Sequence, residues 1–244
     1  MNLKNYITGN FSKREFTHIV IPALLISFFS FLFLAWVFFP PELNYNIFKN
    51  SISHLGSKED SPNGWYFFSI AIMIWGIQLI PIILYIHRRL KNICKFTTTI
   101  GTFFGLLGCI FVFFIGIIID DSSIIIFDAE MSRVHVIVAA IGMGSIGVCI
   151  LFYYFPIFKD TFFKRGNRQF PFVWVTIAYT LILFGGFGMG IAELIKAQQD
   201  IGWPGPGFLS FTFWEWALMI IFNIFLSMAS FFLPEEVQML KDKN

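Results

Sequence analysis

Apolar residues run in six long blocks separated by short polar segments. The blocks lie near 17–39, 65–87, 97–119, 133–156, 171–194 and 211–233. Crossing about 30 Å of hydrocarbon takes roughly 20 helical residues, and every block reaches that length. Backbone polar groups inside a bilayer must be satisfied within the segment, and runs this long suit helices rather than the shorter strands of a barrel. The pattern predicts an all-α, polytopic integral membrane protein, a single transmembrane domain over 1–244 built as a six-transmembrane-helix bundle. Most connections are short, which favours antiparallel neighbours. The exception is the stretch 40–64 between the first two blocks. Loops of that length inside a compact domain are usually functional or disordered.

Composition agrees with lipid as the solvent. Of 244 residues 57% are hydrophobic and only 13% charged, where soluble domains carry about a quarter, and the mean hydropathy is +0.72. A net charge of +2 offers no case for a nucleic-acid partner. Cys94, Cys109 and Cys149 give no disulfide framework and read as buried small hydrophobes. The first block is longer than a signal-peptide core and lacks a convincing cleavage site, so no cleaved leader is expected. Trp36, Trp65, Tyr153, Trp174 and Trp214 lie near block ends, as an interfacial aromatic belt would place them.

Charge sets the orientation. Thirteen of the seventeen lysines and arginines fall in the N-terminal arm, the second and fourth loops and the C-terminal tail. Only Lys49, Lys58, Arg133 and Lys196 fall on the other side. Basic loops stay in the cytoplasm, so both termini are expected there. Small residues are expected at helix contacts: Gly101 and Gly105 on the third block, Ala140 and Gly144 on the fourth, Gly186 and Gly190 on the fifth.

With that topology, several ionisable residues arrive at one depth, the outer interface. Asp120 and Asp121 end the third block, His135 opens the fourth, Glu193 closes the fifth and Glu215 opens the sixth. The first outer loop adds Asn50, Ser51, Ser53 and His54. Ionisable side chains at such depths usually face the bundle or a wet cavity. Helical spacing puts His135 on a face with Ala139 and Gly142, and Glu193 on one with Gly186 and Gly190. Glu215 heads a stripe with Asn223, Ser227 and Ser230, while Gln78 offers an interhelical hydrogen bond from the second block. His135, Glu215 and Asp120 are the candidate acid–base residues, and Asn50, Ser51, Ser53, His54 and Glu193 the candidate binding residues. His135 and Glu215 are expected within direct or one-water reach of each other. The segment 50–56 is expected to fold back over the bundle mouth, with Gly56 at a turn of positive φ. The bland reading stands beside this one. Asp121, Asp128 and Glu130 read as solvated loop acids, His135 as a possible helix cap, and Glu193 and Glu215 equally as structural partners. No HExxH or comparable motif is present, so neither metal nor cofactor is assigned.

The segment Asn50, Ser51, Ile52, Ser53, His54, Leu55, Gly56 resembles the Ile-Ser-Asp-x-Gly element of the damage-regulated autophagy modulator superfamily and its relatives in glycosylphosphatidylinositol remodelling. It is also similar to the Ser-Asp/Glu-Leu-Gly element of prokaryotic six-span proteins grouped as domain of unknown function 998. His135 and the run Phe213, Trp214, Glu215, Trp216 match a histidine and a Glu-Trp pair of that superfamily by position. This chain carries His54 where the family more often has an acid. The resemblance implies a lipid-related role with membrane lipids as partners. Two functions follow. One is a lipid-handling protein whose outward-facing pocket binds or modifies a head group, a histidine and a carboxylate supplying acid–base chemistry or simply a grip. The other is a non-enzymatic regulator or scaffold whose polar residues lock the helices. An ion-coupled transporter fits less well, because the charges gather at one interface rather than at the midplane.

Overall fold

The computed structural model describes residues 2–121, 123–126, 129–163, 170–198 and 210–235, with backbone alone at 126, 129, 163, 182, 187 and 189–198. Six long helices carry the chain: α1, Lys13–Val37; α2, Trp65–Leu90; α3, Lys95–Ile117; α4, Met131–Phe163; α5, Phe172–Gln198; and α6, Phe211–Phe232. Five of them, α1, α2, α3, α4 and α6, are long and apolar enough to cross a membrane. In α5 the apolar stretch among the described residues is Phe172–Gly186, which is shorter. The fold is thus that of an all-helical, multi-pass membrane protein in contact with lipid. The strand pairing among the described residues is a two-residue ladder, Ile125–Ile126 against Ala129–Glu130, in the α3–α4 loop.

The helix starts follow local chemistry. At α1, the Ser12 backbone N–H donates to the Glu15 carboxylate at 2.9 Å and the Glu15 N–H donates to the Ser12 hydroxyl at 3.2 Å, a reciprocal cap. The first turns of α1 widen to a π-helix over Phe16–Val20. Pro22 explains this: it has no N–H to give, and its ring crowds the carbonyl four residues back. At its C-terminal end α4 continues seven residues past the expected stop at Pro156.

Each helix buries one face and presents another that is equally apolar. On α1 the residues Leu24, Phe28, Leu32 and Ala35 are buried, while Ile26, Phe29, Phe33 and Trp36 are exposed. Large apolar side chains on the outside suit lipid and would be a liability in water. The helices α1, α2, α3 and α4 pack as successive neighbours, and α5 pairs with α6, which returns to α1. Glycine makes the α3–α4 contact close. A Cβ at Gly101 would lie 2.9 Å from the Tyr153 ring, one at Gly105 2.8 Å from the Cys149 Sγ, and one at Gly108 2.7 Å from Ile146.

Other small residues behave differently from expectation. Ala140 is exposed and Gly144 has open space around it. On α4 it is Gly142 that meets a neighbour, against Phe111 and Val112 of α3. On α5, Gly186 is likewise open, and Gly185 and Gly188 make the contact instead, Gly188 receiving the Trp214 ring. Gly190 lies among the residues described by backbone alone. The aromatic belt is also thinner than expected. Trp36 is exposed, but Tyr153, Trp174 and Trp214 are buried in the bundle. Cys109 and Cys149 are buried, whereas Cys94 is half-exposed.

Candidate functional site

The loop 40–64 is ordered and docks onto the bundle. Tyr45 is its main fastening. The phenol donates to the Ser51 carbonyl at 2.9 Å and accepts from the Trp216 indole N–H at 3.0 Å. Its ring stands edge-on to Phe39 and Trp216, and Phe48 stacks on Phe213 with centroids 5.5 Å apart. Aromatic pairs of this kind contribute about 0.5–1.5 kcal/mol beyond their buried area. Burial pushes the Tyr45 phenol well above its ordinary pKa, and the negative charge of Glu215 adds to that, so Tyr45 stays protonated as a donor.

Tyr45 thereby delivers the segment 50–56 to the start of α6. Ile52–Gly56 forms a 3₁₀ turn whose Ile52 and Leu55 point inward. Ser51 is buried, and its backbone N–H and hydroxyl meet the His54 Nδ1 at 3.2 and 2.6 Å. An N–H can only donate, so Nδ1 is the accepting nitrogen of His54. The Asn50 side chain closes a local turn by accepting from the Asn46 N–H at 3.0 Å, and Ser53 stands half-buried beside His54. Gly56 is required for closeness, not for conformation. Its φ is not positive, contrary to expectation, and a Cβ there would come within 2.2 Å of the buried Phe68 ring.

The far end of the same loop reaches the α3–α4 junction. Ser57 and Ser61 are buried, and Lys58 and Glu59 interact with Asp121. Asp121 is not the solvated loop acid expected, being only 3% exposed. Its carboxylate accepts from the Ser123 hydroxyl at 2.6 Å and the Ser123 N–H at 2.9 Å, and its carbonyl accepts from the Ser132 N–H at 3.2 Å. The Ser123 hydroxyl is the main cause that holds the Asp121 carboxyl below its usual range. Asp120, the acid singled out from the sequence, is half-buried next to it.

His135 sits one turn into α4 and is 2% exposed. Its Nδ1 donates to the carbonyl of Ile118, where α3 has just ended and the carbonyl has no helical donor. A carbonyl cannot donate, so Nδ1 carries a proton, and in the tautomer protonated there alone Nε2 is a lone-pair acceptor. Nε2 is buried and has no hydrogen-bond partner among the described residues. Neither ring nitrogen therefore hydrogen-bonds Glu215, and the expected direct pair is not formed. Glu215 is half-buried and lies instead in the electrostatic neighbourhood of Tyr45. The Glu193 side chain and all of Asp128 lie outside the described residues, and Glu130 pairs with Arg133 at 3.3 Å on the exposed surface. Among the described residues no three His, Cys, Asp or Glu side chains converge as a metal site would require.

Polar residues deeper in the bundle form interhelical locks. Ser27 donates to Gln78 at 3.2 Å, as expected for Gln78. Trp75 donates to Asn223 at 3.2 Å. Near the other end of the bundle, Thr102 bonds His87 at 2.6 Å and Tyr153 at 2.8 Å, and Tyr153 donates to the Ile83 carbonyl. Between α2, α4 and α6 lies an apolar cavity of about 20 Å³ bordered by Trp75, Cys149 and Phe222. It has room for about one water and none for a head group. From sequence Tyr45 and Trp75 carry no role and Tyr153 only a place in the aromatic belt. An aromatic with a polar tip is ordinary in a membrane protein, and only its partner's position marks it out.

No family model, curated protein or solved structure matches the chain.

Proposed function

We propose that the chain is a six-span protein with both termini in the cytoplasm that handles lipids through a head-group site at its outer mouth. The basic loops supply the orientation, and α5 supplies the sixth span as a helix of 27 residues. The observation that carries the functional reading is the docked loop. One continuous segment, fastened by Tyr45 to Trp216 and by Ser57–Glu59 beside Asp121, joins the start of α6 to the α3–α4 junction. A connector with no ligand to hold has no need of so many directed polar contacts. Ser51, His54 and Glu215 stand at the α6 end of this loop and Asp120 beside Asp121 at the other; on this reading they grip a polar head group while the apolar helix faces hold its tails. This is also the role implied by the resemblance to the damage-regulated autophagy modulator superfamily.

The scaffold reading draws on a specific contact as well, since the Nδ1 of His135 acts purely as a cap on α3. Native mass spectrometry of the full chain, purified with its endogenous lipid, separates the two. The Glu215→Gln variant keeps the side chain's shape and removes its charge. Loss of a retained phospholipid in that variant supports the head-group site; identical retention leaves only the structural role.

A further inference from the structure

The outer end of the bundle contains a buried acceptor that lacks a donor. His135 is 2% exposed, its Nδ1–H is committed to Ile118, and its Nε2 has no partner among the described residues. Leaving a buried polar atom unpaired costs about 1–3 kcal/mol, so native folds generally satisfy such an atom from the protein, an ordered water or a bound group. The neighbourhood holds further unfilled polarity. Ser69, on the outer part of α2, has a buried hydroxyl without a partner, and its carbonyl borders Gly116, two residues before Ile118. The nearby charge at the α3–α4 junction is acidic, from Asp120 and the buried Asp121.

A lone-pair acceptor in an acidic setting selects its ligand by sign and by proton. It disfavours a bare phosphate, whose charge is repelled and whose oxygens only accept. It favours a group that brings an N–H or O–H. We infer that His135 Nε2 is the acceptor for a hydrogen-bond-donating lipid head group, a primary ammonium or a hydroxyl, and that the site discriminates against quaternary ammonium. This rests on the head-group reading above and names the chemistry that the site selects. The fixed tautomer is what makes the preference sharp: with Nδ1–H held by Ile118, Nε2 cannot become a donor without the ring taking a charge in a buried place.

The comparison that tests it is phosphatidylethanolamine against phosphatidylcholine, two zwitterions that differ by three methyl groups and by every N–H donor. Binding of dioctanoyl forms of each to the purified full chain is measured by native mass spectrometry. Tail-less glycerophosphoethanolamine serves as a third ligand. The expected result is about a three- to tenfold preference for the ethanolamine lipid, the worth of one buried hydrogen bond. Little binding of the tail-less compound is expected. His135→Asn retains a donor toward Ile118 and removes the Nε2 acceptor, so it should erase the preference while the lipid still binds. Equal affinity for both lipids in the wild-type protein overturns the donor rule and leaves the lipid reading standing. Binding of neither lipid overturns both, and equal binding of the tail-less compound shows the donor to be a soluble amine, contradicting a lipid source.

Discussion

The Trp216 indole donates to the Tyr45 hydroxyl across 171 positions of sequence, at 3.0 Å. That one bond ties the α1–α2 loop to the last helix. The hydroxyl in turn donates to the Ser51 carbonyl, so the loop's fold and its docking depend on the same oxygen. Tyr45→Phe keeps the ring contacts and removes this oxygen, leaving a carbonyl and an indole N–H in need of partners. A loss of about 1–3 kcal/mol is expected. Thermal melting should show it, and hydrogen exchange should quicken over 45–56 while the helices keep their protection.

Two alanine substitutions should separate glycines that make contacts from those that only look as if they do. Gly56→Ala drives a methyl into the Phe68 ring, which is itself buried, and should destabilise by about 1–3 kcal/mol. Gly144→Ala adds a methyl in open space and gains helix propensity, so melting should stay level or rise. The same purified preparations provide both readings.

Acid should loosen the α3–α4 junction. The Asp121 carboxyl titrates below its ordinary value of about 3.9 because Ser123 hydrogen-bonds the charged form. A depressed folded pKa contributes stability that is present above the unfolded value and disappears as pH falls through the folded one. Melting temperature should therefore decline as pH falls below about 4, and Asp121→Asn should lessen that part of the decline.

Orientation is checked from outside the cell. With Cys94 replaced by serine to remove the half-exposed thiol nearby, Lys91→Cys should resist a membrane-impermeant maleimide in intact cells. Lys49→Cys should react. The reverse pattern would invert the topology.

Helix positions were legible in the sequence because length and apolarity alone decide a span. Inward faces were not. In water a polar side marks the outside of a helix, but here both sides are apolar, so Ala140 and Gly144 looked as suited to packing as Gly142. The place of His135 near the start of α4 was legible, whereas its partner was a backbone carbonyl, which leaves no mark on residue identity. Gly56 was read for its conformational freedom when the constraint was the Phe68 ring. Asp121 looked like a loop acid because a Ser123 bond two residues on is an ordinary loop motif, while Lys58 and Glu59 are brought to it only by the fold.

The central claim is that a lipid head group occupies the outer mouth. A phosphatidylethanolamine bearing a photoreactive diazirine on its head group, incorporated into vesicles with the full chain, tests it most directly. After illumination and proteolysis, adducts should concentrate on peptides covering 45–56, 131–138 and 211–216, and should decrease in Glu215→Gln. Adducts spread evenly along the exposed helix faces, with no excess on those peptides, would contradict the account.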